Sequence, residues 1–257
     1  EICSRDWSSD CALPISLQPD SAQDQSIVGG RLVGDNELIT KSIVALYDQE
    51  QGSLCTGSLL RDNLVLTAAH CVESGIEHQI VIFGNDIKTA RENRRVIGGV
   101  IHGSFSRQSK TSDTNWGDIA LIRFEGAIPE GYEPAKFLND LSLLDTGASV
   151  VLAGYGLSDG VKNTGSGTLR QATVTVGDGQ FSETEILIDQ SSGRGACRGD
   201  SGGPAYVKVG SSFLLWGITS RGSGANARSC KVNSIYTNAV KLMPWLRLAK
   251  ARLMRTT

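Results

Sequence analysis

Three short segments carry residue types that together can transfer acyl groups. Gly199 to Pro204 reads GDSGGP, with Ser201 set between Asp200 and a pair of glycines. Glycine lets another backbone approach closely, and the amide N–H groups of Gly199 and Ser201 are placed to converge on one developing oxyanion. A serine hydroxyl is a poor nucleophile near neutral pH unless a base takes its proton. Of the three histidines, His70 is the base by context: it stands in TAAHC directly before Cys71, whereas His78 and His102 lie in polar surroundings with no companion motif. A carboxylate shielded from water is then required to hold the imidazole tautomer and stabilise the imidazolium. Asp118 opens the apolar run DIALIRF and is the acidic residue most readily drawn inside. Each element has a bland reading alone: GDSGGP as a tight turn, His70 as a side chain packed beside a cystine, Asp118 as a turn residue before a strand. Their joint presence favours the chemical reading.

The elements that must position these residues are short and β-branched. From Ile27 onward, eleven runs separated by Gly, Asn, Asp and Ser read as strands: SIVALYD, NLVLTAA, QIVIFG, RRVIGGVI, DIALIRF, SVVLAGYG, QATVTV, EILID, PAYVKV, SFLLWGIT and NSIYTNAV. Their number and spacing predict an all-β barrel or sandwich. One helix is expected, from about Lys241 to Met254, with Leu242, Trp245, Leu246 and Leu248 on its apolar side and Lys241, Arg247, Lys250, Arg252 and Arg255 in water. Ser158 to Gly167 (SDGVKNTGSG) reads as a mobile surface loop. Residues 1–26 hold five acidic residues, six Ser, two Pro and two Cys, and cannot bury much apolar surface.

Composition narrows the classes. The chain has 257 residues, 40% of them hydrophobic, which suffices for a sizeable core. Twenty-five basic against twenty-seven acidic residues leave a net charge of −2, so no global field draws it to nucleic acid or an anionic membrane, and no apolar run is long enough to span a bilayer. The chain opens at Glu1 without an initiator Met or an apolar leader, consistent with a signal peptide already removed. Cys3, Cys11, Cys55, Cys71, Cys197 and Cys230 form no CxxC pair, and three histidines are few for zinc. An even count favours three disulfides and an oxidising compartment, extracellular or periplasmic. No dinucleotide, P-loop or zinc-peptidase motif occurs, so neither metal nor organic cofactor is expected.

IVGG at Ile27 to Gly30, then TAAHC, DIAL and GDSGGP in that order, resemble the trypsin/chymotrypsin family of serine proteases, over essentially residues 27 to 250. The resemblance implies two six-stranded antiparallel β-barrels, residues 27–136 and 137–257 with the C-terminal helix, and a cleft between them. His70 and Asp118 would come from the first barrel and Ser201 from the second. It implies disulfides Cys55–Cys71 and Cys197–Cys230, leaving Cys3 with Cys11 for a propeptide of residues 1–26. It further implies a zymogen: cleavage after Ser26 would free the Ile27 amino group to bury itself against Asp200. Ser26 departs from the usual basic residue before the cut, and the nearest upstream base is Arg5, so a trypsin-like activator is not expected.

Pocket residues carried over from the family are Gly195 at the floor and Gly222 and Ser234 on the walls, with Ser220 to Gly222 suited to pairing with an extended peptide. With Gly195 where trypsin-like enzymes place Asp, the pocket is expected to be open and neutral and to take apolar side chains. Arg198 and Arg221, the latter where the family usually carries Trp, are two cations near the mouth that could draw acidic residues. The expected partners are protein or peptide substrates and an activating protease, and the expected state is a monomer. The competing reading is a catalytically silent binding protein on the same fold.

Overall fold

The computed structural model describes residues 27–105, 113–224 and 229–255. The expectations for Cys3, Cys11 and Ser26 lie outside the described residues. All eleven runs form strands, and three more strands join them.

The first barrel closes through β2 (Ile43–Asp48), β3 (Ser53–Leu60), β4 (Leu64–Thr67), β7 (Ala120–Phe124), β6 (Glu92–Ile101) and β5 (Gln79–Phe83), which returns to β2, every pair antiparallel. In the second barrel β9 (Ser149–Gly154), β10 (Arg170–Asp178), β11 (Glu185–Asp189), β14 (Asn233–Asn238), β13 (Ser212–Ser223) and β12 (Pro204–Val209) close back onto β9. The two remaining strands are two-residue attachments to this sheet. β1 (Arg31–Leu32) pairs with β10, and β8 (Lys136–Phe137) runs parallel to β13. The chain is therefore all-β, with one α-helix among the described residues.

Period-two alternation explains why several strands look apolar on both faces. In β2, Val44 and Leu46 point into the first-barrel core, while Ile43 and Ala45 join a cluster shared by both barrels. β4 divides likewise, Val65 inward and Leu64 and Leu66 toward the shared cluster. In the second barrel Val150 and Leu152 of β9 face its own core, and Val151 and Ala153 meet the shared one. Three large cores result, the shared one welding the barrels, with a small fourth cluster of Val28, Leu157, Cys197 and Cys230.

The helix α1 covers Met243–Leu253, with Pro244 in its first turn, where a missing N–H is harmless. Its buried residues are Leu246, Ala249 and Leu253, and Leu248 is 73% exposed. The expected apolar face was misplaced at Leu248: two positions beyond Leu246 is about 200° around the helix, on the opposite side. The stretch Ser158 to Gly167 is a hydrogen-bonded turn and not a loose loop. Asp159 and Thr164 pair across it, and the Asp159 carboxylate accepts from the amides of Val161 and Lys162 at 2.9 Å each. No helix among the described residues is long and apolar enough to cross a membrane.

Leu246→Ala should lower unfolding free energy by about 2–5 kcal/mol, and Leu248→Ala by less than about 0.5 kcal/mol. Denaturant midpoints of the two variants check this, and equal losses would contradict the helix orientation.

Candidate active site

β4 and β7 are antiparallel neighbours with Thr67 opposite Ala120, so the chain leaving β4 and the chain entering β7 meet at one rim of the first barrel. Residues Ala69–Cys71 form a 3₁₀ turn just past β4, and Asp118 lies two residues before β7. His70 Nδ1 stands 2.8 Å from Asp118 Oδ2, and the His70 amide donates to Oδ1 at 3.0 Å. Ser220 Oγ donates to the same Oδ2 at 2.6 Å, and Thr237 Oγ1 to the Asp118 carbonyl at 3.1 Å. Asp118 is 1% exposed. Burial pushes its carboxyl upward, but the hydrogen bond and charge of His70, with the Ser220 hydroxyl, outweigh it and hold the carboxyl below its ordinary value. The carboxylate holds Nδ1 and so fixes the orientation of the imidazole ring.

Ser201 comes from the loop before β12. The Asp200 amide donates to Cys197 O at 3.0 Å, Gly203 to Asp200 O at 2.8 Å and Gly202 to Thr219 O at 2.8 Å. Among the described residues the amides of Gly199 and Ser201 have no such partner. Gly199 takes φ +96° where a Cβ would strike the Gly156 backbone, and Gly202 takes φ +75° where a Cβ would strike Thr67 Oγ1 and backbone of Thr56 and Ala68. Both positions require glycine.

The loop is fastened to the first barrel by Thr56 of β3. Its amide donates to Ser201 O at 2.8 Å, its hydroxyl donates to Gly199 O at 2.9 Å, and the same oxygen accepts from Tyr155 N at 3.1 Å. Cys71 Sγ lies 3.6 Å from Ser201 O. Ser201 thus sits beside the turn that carries His70, and all three chemical residues converge on one cleft. Thr56 was not singled out from sequence, where a Thr after Cys55 has nothing to mark it.

Two disulfides flank the site, Cys55–Cys71 and Cys197–Cys230, as the resemblance implied. The sulfurs of Cys55 and Cys71 are therefore committed and cannot join His70 in holding a metal.

A cavity of about 100 Å³ opens beside Ser201, lined among others by Cys197, Arg198, Ser220, Gly222 and Ser234. Gly195 is not part of this lining. The space that its Cβ would take is filled by the side chain of Gln190, which does line the cavity. The pocket is neutral at its base, but it is not the open one that a glycine floor suggests. Gln190 follows EILID in a segment with no motif, and its entry into the pocket depends on how residues 190–196 turn back.

Arg221, a cation near the mouth, is paired in the structure. Its guanidinium holds both carboxylate oxygens of Glu185, at 2.8 and 3.0 Å, and lies 3.9 Å from the Trp116 ring centroid. Glu185 also accepts from the amides of Asn115 and Trp116, at 2.9 and 3.2 Å. Four hydrogen bonds satisfy this buried carboxylate and bind the segment leading to Asp118 onto the second barrel. Arg198, more exposed, donates to Gly160 O at 3.2 Å and Asn163 Oδ1 at 2.9 Å.

At the other side of the Ser201 loop lies the segment after residue 26. Ile27 is fully buried in the second-barrel core with Ala196 among its cluster, and Val28 accepts from the Gly195 amide at 2.9 Å. Ile27 takes φ +45°, a left-handed conformation that strains a β-branched residue. Asp200 is buried too, accepting from Gly156 N and Cys197 N at 2.8 Å each. Burial, opposed by those amides and by the charge of Arg170, pushes its carboxyl up to about 7.

The sequence profile of the Trypsin family matches residues 27–246. A chymotrypsin of Phaedon cochleariae is 26% identical over 243 residues, which cover 89% of this chain and 84% of that protein. With both barrels closed and His70, Asp118 and Ser201 drawn to one cleft, the chain belongs to the trypsin family of chymotrypsin-like serine endopeptidases.

Proposed function

We propose that Ser201 is the nucleophile of this endopeptidase, His70 its general base and Asp118 the carboxylate that orients and stabilises His70. The observation that carries the reading is the hydrogen bond between His70 Nδ1 and a buried, ionised Asp118 beside the Ser201 loop. Ser201 Oγ attacks the scissile carbonyl as its proton passes to His70 Nε2. The tetrahedral oxyanion is received by the amides of Gly199 and Ser201, whose lack of partners among the described residues supports that role. The same proton then goes to the leaving amine, the C–N bond breaks, and an ester to Ser201 remains. Water, deprotonated by His70, hydrolyses that ester.

The substrate is a protein or peptide in extended form. β12 pairs with β13 only as far as Ile218, so among the described residues Ser220 to Gly222 have no strand on that side, next to Ser201. An extended chain laid there finds backbone donors and acceptors in β-register. The primary pocket is neutral and takes uncharged side chains, with Gly222 and Ser234 in its walls. Two disulfides suit a secreted protein in an oxidising compartment.

Activation is by cleavage before Ile27. Two features favour it: a buried Asp200 that burial holds partly protonated, and a strained Ile27 whose φ is released once residue 26 is no longer attached. The freed ammonium would meet the Asp200 carboxylate in a buried pair and fix the loop that carries Gly199 and Ser201.

Intact mass after exposure to a serine-directed phosphonate tests the nucleophile. The form beginning at Ile27 should gain one adduct, the full chain less than about one tenth of that, and Ser201→Ala none while folding normally. Stoichiometric labelling of Ser201→Ala would refute the assignment.

Asp200 gives a pH prediction of definite sign. Its folded-state pKa in the full chain, about 7 against an ordinary 3.8, means that the folded chain keeps a proton that the unfolded chain releases. Its contribution is present at low pH and lost as pH rises from about 4 to 7, on the order of a few kcal/mol. The Tm of the full chain minus that of its Asp200→Asn variant should fall across this window. In the form beginning at Ile27, where an ammonium faces the carboxylate, the difference should rise instead. A pH-independent difference in both forms would contradict the pairing.

A further inference from the structure

Gln190 follows β11, and both polar atoms of its side chain are hydrogen-bonded. Its Oε1 accepts from the Ala196 amide at 2.9 Å and from Ser234 Oγ, and its Nε2 donates to the carbonyls of Ala196 at 3.2 Å and Cys230 at 3.0 Å. A primary amide has two acceptor sites and two protons, so all four are used, and the directions fix which end is oxygen. Its backbone is pinned as well, the amide to Val232 O and the carbonyl by the Gly193 amide, each at 2.9 Å. The residue is 1% exposed, yet it lines the cavity beside Ser201.

We infer that Gln190 is a specificity-determining residue, whose amide closes the primary pocket at a depth that admits small uncharged side chains and turns away aromatic, long and charged ones. This rests on the reading of Ser201 as the nucleophile and of the adjoining cavity as the seat of the residue whose carbonyl is attacked.

Depth is the first part of the argument. The cavity is about 100 Å³, whereas an apolar cavity known to admit benzene measures about 150 Å³. A phenyl ring does not fit without displacing Gln190, and displacing it breaks four hydrogen bonds in a buried place, each expensive to leave unmade. Side chains of one to three heavy atoms, those of Ala, Ser, Thr and Val, do fit.

Charge is the second part. A lysine or arginine head reaching the base of the pocket would need an acceptor, and an acidic one a donor. The amide of Gln190 has neither left to give. The hydroxyl protons of Ser220 and Ser234 are committed to Asp118 and Gln190, and the Glu185 carboxylate is held by Arg221 and two amides. Two cations line the cavity: Arg221, held by the Glu185 carboxylate, and Arg198, bonded to Gly160 and Asn163.

The test uses the full chain processed to begin at Ile27, with phosphonate labelling to count active sites. A series of peptides differing only at the residue before the cleaved bond is then compared by kcat/KM per labelled site. The wild-type enzyme should favour Ala, Ser, Thr and Val over Phe, Tyr, Leu, Lys and Arg by tenfold or more, the scale on which a pocket of fixed depth rejects added methylenes. Gln190→Ala should raise the Phe to Ala ratio at least tenfold. Equal or better wild-type cleavage after Phe, Leu or Arg would overturn the inference, whether or not the variant folds. Cleavage after Asp or Glu would overturn it too, pointing to Arg198 as the selector. Absence of any labelling would overturn the nucleophile assignment, and the inference with it.

Discussion

The position of Ser201 depends on one buried threonine that spans the two barrels. Thr56 belongs to β3 of the first barrel, but its amide and hydroxyl hold the carbonyls of Ser201 and Gly199, and its oxygen receives Tyr155 N from the second. Thr67 Oγ1 in turn donates to Thr56 O at 3.0 Å, so the support extends to the strand that delivers His70. His70 and Ser201 lie on different barrels, and a shift of one against the other would separate them. A fully buried threonine whose polar groups all have partners resists that shift, because sliding would strand them away from water.

Much of the site was legible in the sequence because its chemistry needs rare residues in fixed company. His70 before Cys71, Asp118 before an apolar strand and Ser201 among glycines stand out by residue type and company, and the structure brings them to one cleft. The strands were legible where β-branched residues gather. β3 was not: SLCTGSLL is rich in Ser and Gly, residues without a strong preference for strands, and it is a strand because β2 and β4 pair with both its edges. The helix was found but turned, since apolar residues at Leu246 and Leu248 cannot both face inward at 3.6 residues per turn. Gln190, Glu185 and Thr56 stayed hidden for another reason: their roles arise from partners far away in the chain, which no local pattern records.

Glu185 and Arg221 illustrate what such distant partnerships do. Two opposite charges with little or no exposure contribute little net stability, because desolvation offsets their attraction. Their value here is geometric. Glu185 on β11 takes hold of two successive amides, at Asn115 and Trp116, just ahead of Asp118, and Arg221 on β13 fixes the carboxylate while adding a bond to Asp113 O at 2.7 Å and a face-on contact with Trp116. The segment leading to Asp118 is thereby tied to the opposite barrel. At position 221 a cation does the tying, and its charge is spent on Glu185 inside the molecule.

The ends of the described chain cross over. β1, near the start, pairs with β10 of the second barrel, while α1, at the finish, rests on the first, with Leu253 against Gly98 of β6 and its carbonyl taken by Arg123. Each half of the sequence therefore carries the clasp of the other. Two fragments divided near residue 140 would each lack a piece that the partner holds, so they should behave as complementing halves that fold on meeting, and the intact chain should lose its structure in a single cooperative step.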